Sequence, residues 1–207
     1  MSGDPLRVAC LVSGGGRSVM NLQDRIERGL VPARVVLVAS TRPGVTAIER
    51  SRARGLAVTE VPRDPAHSLD DRLDGTLQAA GAELVVLAGY LRLFRVRAWA
   101  DRCINIHPAL LPRHGGRGMW GHHVHQAVLD AGDRESGCTV HWVDDRYDHG
   151  AAILQRTCPV LPGDTADALA ARVFEQELEA LPDAVTRVAR WIRHGGQRPG
   201  PSAPTRG

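Results

Sequence analysis

Two polar side chains stand out in the apolar run Cys103-Ile-Asn-Ile-His107. Alternation along a strand puts Asn105 and His107 on one face and turns Ile104 and Ile106 to the other. Pro108 cannot donate to a sheet ladder and holds the residue before it extended, so the strand ends at His107. An amide and an imidazole side by side at the carboxyl end of a strand can polarise a carbonyl and move a proton, and open α/β sheets bind ligands at that rim. The plainer alternative is a pair of strand-end polar groups bonded to nearby backbone.

A second constellation is Ser13-Gly-Gly-Gly-Arg-Ser18, set between an apolar run and a helical pattern. Loop glycines let the backbone approach an anion, and a helix N-terminus adds free N–H groups and a favourable dipole. The same residues would also serve as a tight turn that binds nothing. A third candidate is the histidines, seven of which lie between His107 and His149. His122, His123 and His125 diverge around a helix, and no His-x3-His spacing with a nearby carboxylate occurs, so a metal-free site is the preferred reading.

The elements needed to position these groups follow in order. Strands are expected at Arg7–Val12, Arg34–Ala39, Ala57–Val61, Leu84–Ala88, Cys103–His107 and Gly137–Val143, with a final one from Ala152 through Val160. Helices are expected at Val19–Arg28, at Thr46–Arg54 ending on Gly55, from a Ser68 cap to Ala80, at His123–Ala131, and from Thr165 to His194 with a bend or break near Pro182. Alternation of this kind predicts an α/β fold, a mainly parallel twisted sheet flanked by helices with a Rossmann-like N-terminal half. One domain should span residues 1–194. Residues 195–207, rich in Gly, Pro and Ser, should form a disordered tail.

Composition narrows the function. Hydrophobic residues make up 43% and charged residues 24%, a globular balance without a membrane-length apolar run. The N-terminus carries no secretory pattern, which predicts a cytoplasmic protein. Cys10, Cys103, Cys138 and Cys158 sit in apolar runs without CxxC spacing and are read as buried thiols. The 26 cationic residues are all Arg, which excludes Schiff-base and Walker-lysine chemistry. Their scatter, with aromatics at 4%, argues against nucleic-acid binding.

The string Asn105-Ile-His-Pro-Ala-Leu-Leu-Pro112 resembles the signature of folate-dependent formyltransferases, with Ala109 where that family usually has Ser. The likeness runs from about Arg7 to Ile192. It implies transfer of a formyl group from 10-formyltetrahydrofolate to the amine of a small phosphorylated acceptor, most closely glycinamide ribonucleotide. Such a transfer needs an oxyanion stabiliser, a proton for a poor nitrogen leaving group, and removal of a proton from the amine. Asn105 suits the first need and His107, as general acid, the second. By resemblance of the stretch from Thr139 to Gln155, Asp148 is the carboxylate that would raise the His107 pKa, with His149 standing where a smaller residue is usual. Asp144 and Asp145 are the alternatives to Asp148.

The resemblance also assigns folate contacts to Leu91, Arg92, Leu93 and Phe94, to Asn105, and to the loop Asp144, Asp145, Arg146, Tyr147 and Asp148. Acceptor contacts fall to Gly15, Gly16, Arg17 and Ser18, where the family has a somewhat different loop, and to Phe174, Glu175, Gln176 and Glu177. The glycine-rich loop from Gly115 to Gly121 is shorter in many formyltransferases, and it either closes over the site or merely connects elements. The expected partners are small molecules, not nucleic acid or membrane, in a monomer or homodimer without metal. The alternatives are a related formyltransferase acting on another small phosphorylated amine, and a non-catalytic folate- or phosphate-binding paralogue.

Overall fold

The computed structural model describes residues 4–201 and the backbone of residues 205 and 206. Strands β1 (Leu6–Val12), β2 (Ala33–Ser40), β3 (Val58–Glu60), β4 (Leu84–Leu87) and β5 (Cys103–His107) alternate with helices α1 (Arg17–Glu27), α2 (Thr46–Ala53) and α3 (Leu69–Ala79). Helix α4 (His122–Asp130), strands β6 (Glu135–Trp142) and β7 (Ala152–Pro159), helix α5 (Ala166–His194) and a two-residue strand β8 (Thr205–Arg206) follow. The sheet order is β3-β2-β1-β4-β5-β6-β7-β8. Strands β1 to β5 pair in parallel, and β6 runs antiparallel to both β5 and β7.

Period-two alternation explains the two layers of core. From β1, Leu6, Val8, Cys10 and Val12 pack on the side of α1 and α5, with Leu22, Leu169 and Val173. Ala9 and Leu11 from the same strand pack on the other side with Leu73 and Leu77 of α3. In β5, Ile104 and Ile106 join the first cluster, which leaves Cys103, Asn105 and His107 on the opposite face. All four cysteines are free and buried.

Capping fixes the helix starts. The Ser68 hydroxyl accepts from Asp71 N, and the Thr165 hydroxyl accepts from Ala168 N. Helix α1 is different: Gly16 precedes it in the left-handed region at φ 70°, and no side chain caps it. A Cβ on Gly16 would lie 2.7 Å from Ala47 Cβ, so the loop depends on glycine both for its conformation and for its approach to α2. Strand order reverses between β1 and β4, and the loops leaving those strands meet there, Ser13 N donating to Gly89 O and Leu91 N to Ser13 Oγ.

Helix α5 does not break at Pro182; it continues for 29 residues. A proline within a helix cannot donate to the carbonyl four residues earlier, here Leu178 O. Asn21 Nδ2 from α1 donates to that carbonyl at 2.7 Å, so the bond missing within α5 is replaced by one from its neighbour.

The segment after α5, expected as a disordered tail, carries specific contacts over its described residues. Trp142 Nε1 donates to Pro199 O at 2.9 Å, the Arg198 guanidinium lies 4.3 Å from the Trp142 ring centroid and pairs with Asp101, and β8 adds to β7 in parallel. Gly and Pro content signalled the absence of helix but not these docking partners. The tail's residues 202–204 and 207 lie outside the described residues.

Candidate active site

Strand pairing assembles the centre. β5 and β6 align Asn105 with His141 and His107 with Thr139. His141 Nδ1 lies 2.8 Å from Trp142 O, a group that only accepts, so the neutral ring carries its hydrogen there and offers a lone pair at Nε2. Asn105 Nδ2 donates to that Nε2 at 3.0 Å and to Asp148 Oδ1 at 3.3 Å. With the opposite amide orientation Asn105 would set an oxygen against the carboxylate, so the acceptors fix its orientation. Both amide hydrogens therefore have partners, and donation to a developing oxyanion means exchanging one of them, the longer being the bond to Asp148.

Asp148 sits in the left-handed region at φ 53°. Its Oδ2 accepts from Gly116 N at 3.0 Å and lies 3.5 Å from His107 Nδ1, while Oδ1 is 3.6 Å from His141 Nε2. Burial is the largest influence on this carboxyl and pushes its pKa up. The protonated forms of His141 and His107, together with the Gly116 N–H, outweigh it, and the net direction is down. His149, beside it, points outward and meets Asp144 Oδ2 at 2.8 Å, so a bulky residue fits this turn without disturbing Asp148.

His107 departs from expectation. Burial lowers its pKa more than the Asp148 charge raises it, so its net direction is down, the reverse of what pairing with a carboxylate alone predicts. Its Nε2 donates to His114 O at 2.8 Å, leaving Nδ1 as the free base of the neutral ring, facing Asp148. His114 is held in turn by Asp133, whose Oδ2 lies 2.8 Å from His114 Nε2.

These groups border a cavity of about 700 Å³. Gly15, Gly16, Arg17 and Ser18 line it, with α2 bracing the loop through Ala47 N to Gly14 O and Arg50 Nη1 to Gly15 O. Arg17 lays its guanidinium on Phe174, 3.8 Å from the ring centroid, at the cavity wall. From α5 the wall takes Asp167, Ala170, Val173, Phe174 and Glu177. Spacings of three and four bring these to one helix face, and that periodicity carries Glu175 and Gln176 off the wall. Of the four acceptor residues expected on this helix, then, Phe174 and Glu177 reach the cavity. Glu177, half-buried, has its pKa pushed up to about 7 by burial, with Arg17 opposing.

A smaller cleft of about 40 Å³ lies behind the same floor, lined by Arg92, Leu93, Phe94, Val143, Arg146 and Tyr147 among others. Tyr90, Asn105, Tyr147 and Asp148 border both spaces. Leu91 lines the large cavity instead. Asp144 and Asp145, expected at the folate, line neither. Asp144 accepts from Arg146 N and pairs with His149, and Asp145 accepts from Val96 N, so both hold loops together.

The histidines are dispersed. His114 meets Asp133, His149 meets Asp144, His123 packs edge-on against Trp120, and His122 and His125 line the cavity. Among the described residues no group of three or more His, Cys, Asp or Glu could hold a metal ion. His141 and the His114 carbonyl are site groups that motif reading passed over. The signal for His141 was present: Thr139 and His141 alternate through an apolar strand just as Asn105 and His107 do. The Gly115–Gly121 loop does more than connect elements, since Gly116 reaches Asp148 and residues from Gly116 to Gly121 line the cavity.

Fold and site together place an amide–imidazole–carboxylate centre at the carboxyl rim of the parallel strands, beside a glycine loop that leads into a helix N-terminus. The chain belongs to the formyl transferase family, whose model matches residues 6–185. It is 39% identical over 187 residues to the trifunctional purine biosynthetic protein adenosine-3 of Drosophila melanogaster, a match covering 86% of this chain and 14% of that protein. It is 38% identical over 200 residues to the chloroplastic phosphoribosylglycinamide formyltransferase of Arabidopsis thaliana, covering 91% of this chain and 68% of the relative. The chain thus spans a small fraction of the first relative and about two thirds of the second. The crystal structure of glycinamide ribonucleotide transformylase 1 from Symbiobacterium toebii superposes with a TM-score of 0.83 at 36% identity, covering 91% of this chain and 90% of that one.

Proposed function

We propose that this chain transfers a formyl group from 10-formyltetrahydrofolate to the amine of glycinamide ribonucleotide, a step of purine biosynthesis. The observation that carries the reading is that Asn105 and Asp148 border both the large cavity and the smaller cleft, with His107 in the wall of the large cavity 3.5 Å from Asp148. Two bound molecules, one in each space, could meet at this centre.

The phosphate is assigned to the α1 N-terminus. Its first turn holds no acidic residue and no side-chain cap, so its N–H groups remain available, and Arg17 stands beside them. The folate ring is assigned to the smaller cleft. Leucine, valine and aromatic walls with a polar end at Asn105, His141 and Asp148 suit a flat heterocycle in chemistry, while the size of the cleft requires its two loops to part. 10-Formyltetrahydrofolate supplies an activated formyl carbon carried on nitrogen.

The residues then divide the work. Asn105 gives up its longer bond to Asp148 and donates to the formyl oxygen as negative charge develops. His107, its Nε2–H committed to His114 O, takes the proton of the attacking nitrogen at Nδ1. Asp148 stabilises the resulting imidazolium, which gives the proton to the leaving nitrogen. His107 thus acts first as base and then as acid, which accommodates its lowered pKa. No step is assigned to a metal ion.

Formyl release from 10-formyltetrahydrofolate, followed with and without glycinamide ribonucleotide and repeated after exhaustive chelation, tests the reading. Release that requires the acceptor and survives chelation is expected. Release without the acceptor would make the chain a hydrolase, and no release with saturable folate binding would make it a binding protein.

A further inference from the structure

Among the described residues, buried side-chain atoms without a hydrogen-bond partner occur on Gln23, Thr41, Ser51, His125, Ser136 and Arg156. Of these six, His125 alone lines the large cavity. His125 is 4% exposed, and its Nδ1 is fully enclosed with no hydrogen-bond partner among the described residues. Its neighbours in α4, Val124 and Val128, are buried in apolar packing, so the helix could have presented another apolar residue at this position. A buried polar group left unpaired is costly, and one that faces a ligand cavity finds its partner when the cavity is filled.

The charge state narrows what that partner is. Burial first, then the charges of His122 and His107, lowers the His125 pKa to about 4, with Asp167 opposing. At neutral pH the ring therefore has one donor and one acceptor. Glu177, from α5 in the same wall, is likewise pushed toward its neutral form by burial. This wall does not suit a phosphate, which accepts only and whose place is the Arg17 end. A hydroxyl, which both donates and accepts, fits it.

We propose that His125 is a substrate-contacting specificity residue whose imidazole exchanges a hydrogen bond with a sugar hydroxyl of the acceptor. This rests on the reading of the acceptor as a ribosyl phosphate. The contact separates two tasks within one cavity: the Arg17 loop holds the anion, and the α4 wall distinguishes a ribosyl phosphate from any other phosphorylated amine.

The test uses the full chain and the variants His125→Phe, which keeps ring volume without polar atoms, and His125→Gln, which keeps a donor and an acceptor. With glycinamide ribonucleotide, H125F should lose about 10- to 100-fold in kcat/KM, mainly through KM, equivalent to one hydrogen bond of ordinary strength. With the 2′-deoxy or the 3′-deoxy acceptor, whichever lacks the contacted hydroxyl, H125F and wild type should match, and H125Q should recover part of the loss on the parent acceptor. Ligand-free H125F should melt no lower than wild type, because it removes an unpaired group. Unchanged kcat/KM, an equal loss on the parent and both deoxy acceptors, or a lower melting temperature would each overturn the proposal. Calorimetry with ribose 5-phosphate and with inorganic phosphate reads the contact without turnover: H125F should weaken the first and leave the second alone. If wild type binds ribose 5-phosphate in this His125-dependent way but does not formylate glycinamide ribonucleotide, the assigned reaction fails while the sugar contact stands.

Discussion

His107 and Asp148 face each other across 3.5 Å, Nδ1 to Oδ2, while His107 Nε2 is already turned onto the His114 carbonyl at 2.8 Å. One ring nitrogen is thus structural and the other free for proton transfer. His107→Ala and Asp148→Asn should each lose at least about 10²-fold in kcat with little change in thermal stability. Wild-type turnover in either variant would defeat the assignment. The acid limb of the kcat/KM profile reports the proton that His107 must first lose, so activity rises with pH through its lowered pKa. Asp148 raises that pKa. Asp148→Asn should therefore move the limb to lower pH, and a shift to higher pH would contradict the pairing.

Glu177 predicts a pH-dependent cost to stability. Its folded pKa of about 7 lies above its ordinary value of 4.5, so the folded protein holds a proton that the unfolded chain releases. The associated cost is absent below about pH 4.5, grows as pH rises, and is complete above about pH 7. Glu177→Gln should stabilise the ligand-free protein at pH 8 by up to roughly 3 kcal/mol and leave it unchanged at pH 4. Thermal melts at the two pH values check this; equal shifts at both would mean that the carboxyl is not held protonated by burial.

Arg17 offers a contact that phosphate should use. Arg17→Ala should raise the acceptor KM about 3- to 10-fold, leaving the KM for folate and kcat near wild type, as loss of uniform binding does. Initial-rate kinetics with each substrate varied in turn measure this. Equal wild-type activity on the unphosphorylated riboside would show that no phosphate is read.

The pairing of Asn21 with the Leu178 carbonyl predicts non-additivity. Asn21→Leu leaves that carbonyl buried and unpaired, a loss of about 1–3 kcal/mol. In a Pro182→Ala background the helix supplies its own N–H, so the same change should cost far less. Denaturant unfolding of the four proteins of this cycle settles it, and additive losses would exclude the compensation.

Much of this structure was legible in the chain, for stated reasons. Runs such as Leu84–Ala88 and the alternation through Cys103–His107 gave the parallel strands, and the same alternation placed Asn105 and His107 on one face. Readings failed where tertiary surroundings decide. Burial reversed the direction of the His107 shift, and no sequence pattern reports desolvation. A contiguous motif could not show that helical phase would leave Glu175 and Gln176 outside while Phe174 and Glu177 turned in. Pro182 promised a break because the partner that replaces its bond, Asn21, lies 157 residues from Leu178 in the chain. Asp144 and Asp145 were assigned to the folate by resemblance, and a contiguous motif does not report that bonds to Arg146, His149 and, 49 residues away, Val96 engage them.

Tyr90, Asn105, Tyr147 and Asp148 border both the large cavity and the smaller cleft. That shared border has a pharmacological corollary. A single molecule with an anionic end for the Arg17 loop, an uncharged hydroxylated middle and a flat heterocycle, joined beside Asn105, would occupy both spaces while surrendering the translational freedom of one ligand rather than two. Its optimal linker would be short and rigid, because the two spaces share lining residues, and each added rotatable bond would reduce the gain from joining the halves.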